Sequence, residues 1–69
     1  MTPALLREIG TALWGRSWQS DMARALNVSD RTVRRWAAGK FAVPANVADQ
    51  LGECARERRR VLGDLLKRL

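Results

Sequence analysis

Hydrophobic positions in the first part of the chain recur at steps of three and four residues, which is the spacing of amphipathic helices. The recurring positions are Leu5, Leu6, Ile9, Ala12 and Leu13. Thr2 followed by Pro3 predicts the start of this first helix, and Gly15 predicts its end near Trp14. Because β-branched residues are few and scattered along the chain, no strand is expected.

Two shorter helices joined by a three-residue turn are predicted next. Ser17 is expected to cap a helix over residues 18–26, and Ser29 a helix from Asp30 to about Ala38. Asn27 opens the turn, where the backbone is expected to need a positive φ that Asn tolerates better than most residues.

The last part of the chain begins with a loop that follows Gly39 and ends at Pro44. Gly39 is expected to end the preceding helix in the left-handed conformation. Residues 45–69 contain no forced break, which predicts either one long helix or two helices that meet within residues 52–57. The predicted fold class is therefore all-α, a small four- to five-helix bundle in a single domain over residues 1–69.

Composition limits the function that such a bundle can have. The 69 residues include 13 Lys and Arg against 7 Asp and Glu, a net charge of +6, with no His and one cysteine, Cys54. Without His, most catalytic triads and the common two-Cys-two-His zinc site are excluded, so we expect no enzyme, no metal and no cofactor. We also expect no membrane span, no signal peptide and no small-molecule pocket of several hundred Å³, and a cytoplasmic location.

Four aromatic side chains are expected to supply much of the core, since each buries about 150–250 Å². Trp14 and Trp36 are expected inside with Phe41, whereas Trp18 stands at a helix start, where side chains are often half exposed. The alternative role, stacking on unpaired bases, is disfavoured by the inward spacing of Trp36. Cys54 is interpreted as a small buried or interfacial residue, with a redox sensor as the alternative.

The segment from Gln19 to Gly39 carries the most specific pattern in the chain. Ala23 is small where the two short helices would cross, and Asn27 opens the turn. The inward positions that would fix the angle between these helices are Met22, Leu26, Val28, Val33 and Trp36. With the ending Trp36-Ala37-Ala38-Gly39, this pattern resembles the helix-turn-helix of the Cro- and lambda-repressor-like family, often called XRE-type. The chain departs from that family at Asn27, where glycine is usual, and at Trp18, where a small capping residue is usual.

The resemblance implies a lambda-repressor-like bundle in which the helix Asp30–Ala38 lies in the major groove of DNA. By similarity to the family, Arg31 and Arg35 occupy base-reading positions and Arg34 lies nearer the phosphates. Because the arginine fork can bond O6 and N7 of guanine, we expect guanine in the recognised half-site.

The other polar residues near this helix are candidate DNA contacts with open interpretations. Asp30 either complements the helix dipole or accepts a hydrogen bond from a cytosine amino group, and Thr32 contacts either a thymine methyl group or a phosphate. The remaining expected phosphate contacts are Ser17, Gln19, Ser20 and Lys40, with Arg16 as a further candidate.

The C-terminal segment, about residues 56–69, is expected to contribute to a dimer. Five large apolar residues within nine positions cannot all be hidden against a core this small. They are Val61, Leu62, Leu65, Leu66 and Leu69. Arg58 interrupts their seam, so no long coiled coil is expected. The charged run 56–60 is either a solvated face or a contact to the DNA backbone.

These observations predict a sequence-specific, double-stranded DNA-binding transcriptional regulator, a dimeric repressor that reads an inverted repeat. The resemblance suggests a phage or mobile-element promoter, including the case of its own promoter and of an anti-CRISPR-associated regulator. The alternative is a protein-interaction module such as an antitoxin, in which the C-terminal apolar helix binds a partner protein.

Overall fold

A computed structural model describes all 69 residues and is all-helical, without strands, which confirms the predicted all-α class. The elements are α1 (Pro3–Trp14), a 3-10 turn (Gly15–Ser17), α2 (Trp18–Leu26), α3 (Asp30–Ala37) and α4 (Ala45–Lys67). None of these helices combines the length and the apolar character needed to cross a bilayer.

Side-chain caps begin α1 and α3 as predicted. The Oγ1 atom of Thr2 accepts a hydrogen bond from the backbone N–H of Leu5 at 3.1 Å, and the Oγ of Ser29 accepts one from the N–H of Thr32 at 3.1 Å. Each cap satisfies a helix N–H that has no partner within the helix, so the starts of α1 and α3 are fixed locally.

The predicted cap of α2 by Ser17 was wrong, because Ser17 makes no side-chain capping bond. The chain enters α2 through the 3-10 turn, in which the N–H of Trp18 bonds the carbonyl of Gly15. Ser17 therefore has φ −90° and ψ 26° instead of the extended backbone that a capping residue usually adopts.

The junction between α2 and α3 turns at Asn27, whose φ of 57° confirms the predicted left-handed conformation. The N–H of Asn27 bonds the carbonyl of Arg24 at 3.3 Å, and the N–H of Val28 bonds that of Ala23 at 2.9 Å. This pair of bonds is the Schellman pattern, which satisfies the last carbonyls of α2 and reverses the chain within three residues.

One core joins all four helices. Its nine buried members are Leu6, Trp18, Met22, Ala23, Val33, Trp36, Ala37, Val47 and Leu51. Trp36 is inside as expected, Trp14 is partly buried against the core, and Trp18 is buried although its position had suggested half exposure. The prediction that Phe41 belongs to the core was wrong, since its side chain is 57% exposed in the loop that follows α3.

Trp18 is buried because α1 offers it a glycine. A Cβ atom placed on Gly10 would lie 2.8 Å from Cδ2 of Trp18 and 3.1 Å from Cε of Met22. The indole therefore lies directly on the backbone of α1, and Gly10 sets how closely α1 and α2 approach.

The chain from residue 45 to residue 67 forms one continuous helix, so the alternative of two helices meeting within residues 52–57 was wrong. Neither Gly52 nor Gly63 interrupts it, since each weakens a helix by only about 1 kcal/mol. Its last buried residue is Leu51, and the C-terminal half extends beyond the core, which gives the molecule dimensions of 43 × 22 × 21 Å.

Replacing Gly10 by Ala is expected to destabilise the fold by about 1–3 kcal/mol, because the added methyl group collides with the buried ring of Trp18. Urea denaturation monitored by tryptophan fluorescence measures the change. The control is Gly63→Ala, since a Cβ at Gly63 meets nothing within 4 Å. That variant is expected to gain up to about 1 kcal/mol from better helix propensity. Equal effects of the two substitutions would contradict the close approach at Gly10.

Candidate nucleic-acid interface

Helix α3 has a buried face and a cationic face. Its inward positions are the core residues Val33, Trp36 and Ala37. Arg31, Arg34 and Arg35 lie exposed on the other side, with Lys40 following in the loop. Arg31 and Arg35 are four residues apart and so lie on the same side of the helix, as predicted.

The N-terminal end of α3 is tied to α2 by a bond between two predicted contact residues. The hydroxyl of Ser20 donates to Oδ2 of Asp30 at 2.9 Å. Asp30 stays exposed and lies in the first turn, where a carboxylate also complements the helix dipole. Asp30 makes no ion pair with Arg34, although the two residues lie four positions apart on the same helix.

Thr32 lies in the same turn, where its hydroxyl is 2.9 Å from the Oγ of Ser29. Two of the four predicted base-contacting residues, Asp30 and Thr32, are thus bonded to neighbouring side chains. The other two, Arg31 and Arg35, make no hydrogen bond through their guanidinium groups to any other residue, and all their N–H donors are available.

The C-terminal end of α3 is fixed by three bonds. Gly39 has the predicted positive φ, 76°, and its N–H bonds the carbonyl of Trp36 at 3.1 Å. The N–H of Lys40 bonds the carbonyl of Arg35 at 3.0 Å, which completes a second Schellman turn. From α1, Nη1 of Arg7 donates to the carbonyl of Ala37 at 3.3 Å. Both ends of α3 are therefore tied to other helices.

The exposed side of α3 and the start of the next loop form a basic groove of about 370 Å³. Its lining residues are Arg31, Arg34, Arg35, Ala38 and Lys40. None of these four cations takes part in an ion pair, because the three ion pairs of the chain lie elsewhere: Arg24–Asp21, Arg60–Glu57 and Arg60–Asp64. The groove therefore combines four unneutralised positive charges with no carboxylate in its lining.

The predicted phosphate contacts at the start of α2 differ in their exposure. Ser17 is exposed, whereas Gln19 and Ser20 are half-buried. The hydroxyl hydrogen of Ser20 is directed to Asp30 and is not free to bond a phosphate while that bond holds. Arg16, the further candidate, is exposed in the 3-10 turn.

On α4, one side of the charged run 56–60 carries an ion-pair chain. Arg60 bonds Glu57 at 2.6 Å and Asp64 at 3.2 Å, one turn to each side. Hydrogen bonds from Arg60, and then its positive charge, lower the pKa of the Glu57 carboxyl, and the same contacts raise the pKa of Arg60. All three groups are exposed, and each makes its ion pair within α4.

The five predicted interface residues of α4 are all exposed: Val61 (39%), Leu62 (51%), Leu65 (46%), Leu66 (67%) and Leu69 (101%). Beside Leu62 and Leu66, Ile9 and Ala12 of α1 line a groove of about 400 Å³ between α1 and α4. A second groove of about 530 Å³ lies along the half-buried Cys54. Both grooves lie open on the surface beside α4.

Sequence reasoning missed one residue of the cationic face. The guanidinium carbon of Arg35 lies 5.5 Å from the centroid of the Phe41 ring. The available signal was the position of Phe41, which is two residues beyond the helix-ending Gly39 and lies outside every helical stripe. The position of Phe41 in the chain therefore indicated a surface location, although its apolar side chain had suggested the core.

The chain offers no constellation for metal chemistry, as no three Cys, Asp or Glu side chains lie close enough together to hold an ion. Comparison with protein-family models, with curated proteins and with solved structures finds no match to this chain. Any functional conclusion therefore rests on the residues themselves.

Proposed function

We propose that this chain is a sequence-specific, double-stranded DNA-binding transcriptional regulator, and that it is not an enzyme. The observation that carries the proposal is the set of four unpaired cations on and beside α3. Phosphate contacts from such cations supply affinity, whereas arginine forks on base edges supply sequence preference.

The arrangement of α2 and α3 supports the helix-turn-helix form of this proposal. The helices are joined by the three residues 27–29, and the second has its inner face locked into the core and both ends tied. In a helix-turn-helix the second helix lies in the major groove with its N-terminal residues on base edges. Arg31 and Arg35 are the proposed base-reading residues, with Arg34 and Lys40 on phosphates.

Asp30 is a weaker candidate for a base contact than the two arginines. Its bond with Ser20 favours its role in the helix terminus over a contact to cytosine, although its Oδ1 atom makes no hydrogen bond. Ser17 and Gln19 remain the proposed phosphate contacts of α2, because Ser20 is engaged with Asp30.

We further propose that the chain acts as a dimer joined through the C-terminal half of α4. Burying one leucine side chain completely is worth about 1.5–3 kcal/mol. Two copies would together cover ten side chains that are 39–101% exposed. The free energy gained by covering them is comparable to the cost of association, which is about 4–15 kcal/mol.

Such a dimer would read an inverted repeat with half-sites about 34 Å apart. A repressor of a phage or mobile-element promoter, acting in the cytoplasm on its own or a neighbouring gene, fits this size and architecture.

The second candidate function is a protein-interaction module, such as an antitoxin, whose α4 binds a partner protein. It is favoured by the same exposed apolar residues of α4. It leaves the unpaired arginines of α3 without a role, and for that reason it ranks second.

In vitro selection from random DNA duplexes at about 150 mM salt tests the proposed function. We expect enrichment of an inverted repeat with guanine in each half-site. Binding that fades with salt and enriches no sequence would reduce the interaction to charge attraction and favour the protein-interaction module.

Replacing Arg31 or Arg35 by Ala is expected to cost about 1–3 kcal/mol of binding and to relax preference at one base position. Lys40→Ala is expected to weaken all duplexes alike and to lower the slope of log affinity against log salt by about one. Fluorescence anisotropy on selected and scrambled duplexes measures both effects. Arg60→Ala, which removes an ion-paired cation on α4, is the control and should leave the base preference unchanged. If Arg31→Ala kept the base preference of the wild type, α3 would not be the helix that reads the bases.

Replacing Leu65 by Asp is expected to yield a monomer, because it places a charge among the apolar residues that would meet the second copy. Sedimentation equilibrium measures the mass. Gln50→Asp adds the same charge at an exposed position of α4 beside the core and should leave the dimer intact. Equal masses for wild type and Leu65→Asp would exclude this interface.

A further inference from the structure

We propose that Phe41 is a positioning residue that holds the Arg35 guanidinium in place for bonding to a base edge. This inference deepens the proposed function and rests on it. The interaction that carries it is the cation–π contact between Arg35 and Phe41, at 5.5 Å from guanidinium carbon to ring centroid.

Burial does not account for the position of Phe41. Its side chain is 57% exposed, whereas Trp18 and Trp36 are buried and Trp14 packs against the core. Phe41 is therefore the aromatic residue of this chain that lies most open to solvent, and it lies beside the basic groove. The one cation–π contact of the chain joins its ring to Arg35.

The end of α3 brings the two side chains together. The left-handed backbone of Gly39 and the bond from the N–H of Lys40 to the carbonyl of Arg35 reverse the chain directly after the helix. The next residue, Phe41, is thereby returned to the last turn of α3, where Arg35 projects. The Schellman turn thus fixes the backbone on which this contact depends.

A cation–π contact suits a base-reading arginine because the aromatic ring offers no lone-pair acceptor that would take up the N–H donors. The donors of Arg35 therefore remain free for the paired acceptors of guanine. Arg60 shows the contrasting case, since its N–H groups are already engaged by Glu57 and Asp64. Arg35 is restrained without losing donors, so less side-chain freedom is lost when it binds a base.

Arg35 differs in this respect from the other cations of the groove. No aromatic ring lies over Arg31, Arg34 or Lys40, because the contact with Phe41 is the one cation–π interaction of the chain. Arg35 is therefore the restrained member of the groove, and Phe41 is expected to affect preference at the base that Arg35 reads and at no other.

The test replaces Phe41 by Leu, which keeps apolar bulk but removes the ring, and by Tyr, which keeps the ring. In the free protein, the ring-current shift of the Arg35 side-chain protons should be lost in Phe41→Leu and kept in Phe41→Tyr. Affinity for the duplex selected by the wild type should fall about two- to fivefold in Phe41→Leu only, with scrambled duplex bound as before.

A double-mutant cycle separates positioning from direct contact. In the Arg35→Ala background, Phe41→Leu should cause no further loss of affinity, whereas in the Arg34→Ala background its effect should be unchanged. A full effect of Phe41→Leu without Arg35 would show that the ring contacts DNA itself and would overturn the positioning role. Unchanged affinity and base preference in Phe41→Leu would overturn it as well.

Failure of the proposed function gives a different result. A wild-type chain that selects no sequence overturns the DNA-reading function, and the role of Phe41 in reading falls with it, even where the ring-current shift demonstrates the contact. A wild type that selects a sequence, combined with a Phe41→Leu variant that keeps full preference, overturns the role of Phe41 alone.

Discussion

The packing of α3 against the core through Val33, Trp36 and Ala37 is the interaction on which the rest of this structure depends. An eight-residue helix is too short to persist alone in water, where about 12–15 residues are needed even for good helix formers. The positive charges destabilise this helix further, because Arg34 and Arg35 follow Arg31 by three and four positions and like charges at these spacings repel. Burial of the opposite face offsets both costs. A concentrated positive surface is possible here because the reverse side of the same helix is anchored.

The hydrogen bonds at the two ends of α3 hold the helix in place in addition to its packing. Ser20 ties the first turn to α2 through Asp30, and Arg7 ties the last turn to α1 through the carbonyl of Ala37. Packing alone permits small sliding of a short helix, whereas directional bonds at both ends restrict its rotation and its translation. Side chains on the outer face thus project from a backbone that is held in position before any ligand arrives, which is the condition for precise recognition.

Much of this architecture was predictable because its determinants are local. The turn at Asn27, the end of α3 at Gly39 and the caps at Thr2 and Ser29 each follow from the conformational preference of one residue. The alternation of buried and cationic positions along α3 was likewise visible in its spacing.

The errors arose where distant residues decide the outcome. Ser17 does not cap α2, because the indole of Trp18 is drawn onto Gly10 of α1 and the chain enters α2 through a 3-10 turn. The bond from Ser20 to Asp30 and the contact of Phe41 with Arg35 join side chains from separate elements, which no periodicity reveals. The DNA contacts and the dimer stay predictions.

The continuity of α4 also divides one helix into two kinds of position. Its first half ends at Leu51, the last buried residue, and the second half continues for about 25 Å, at 1.5 Å per residue. Along this second half, Leu62 and Leu66 line an open groove with Ile9 and Ala12 of α1. Substitutions at these exposed positions of α4 change the surface of the molecule and remove no buried side chain. The outer half of α4 can therefore diverge in sequence while the core that positions α3 is kept.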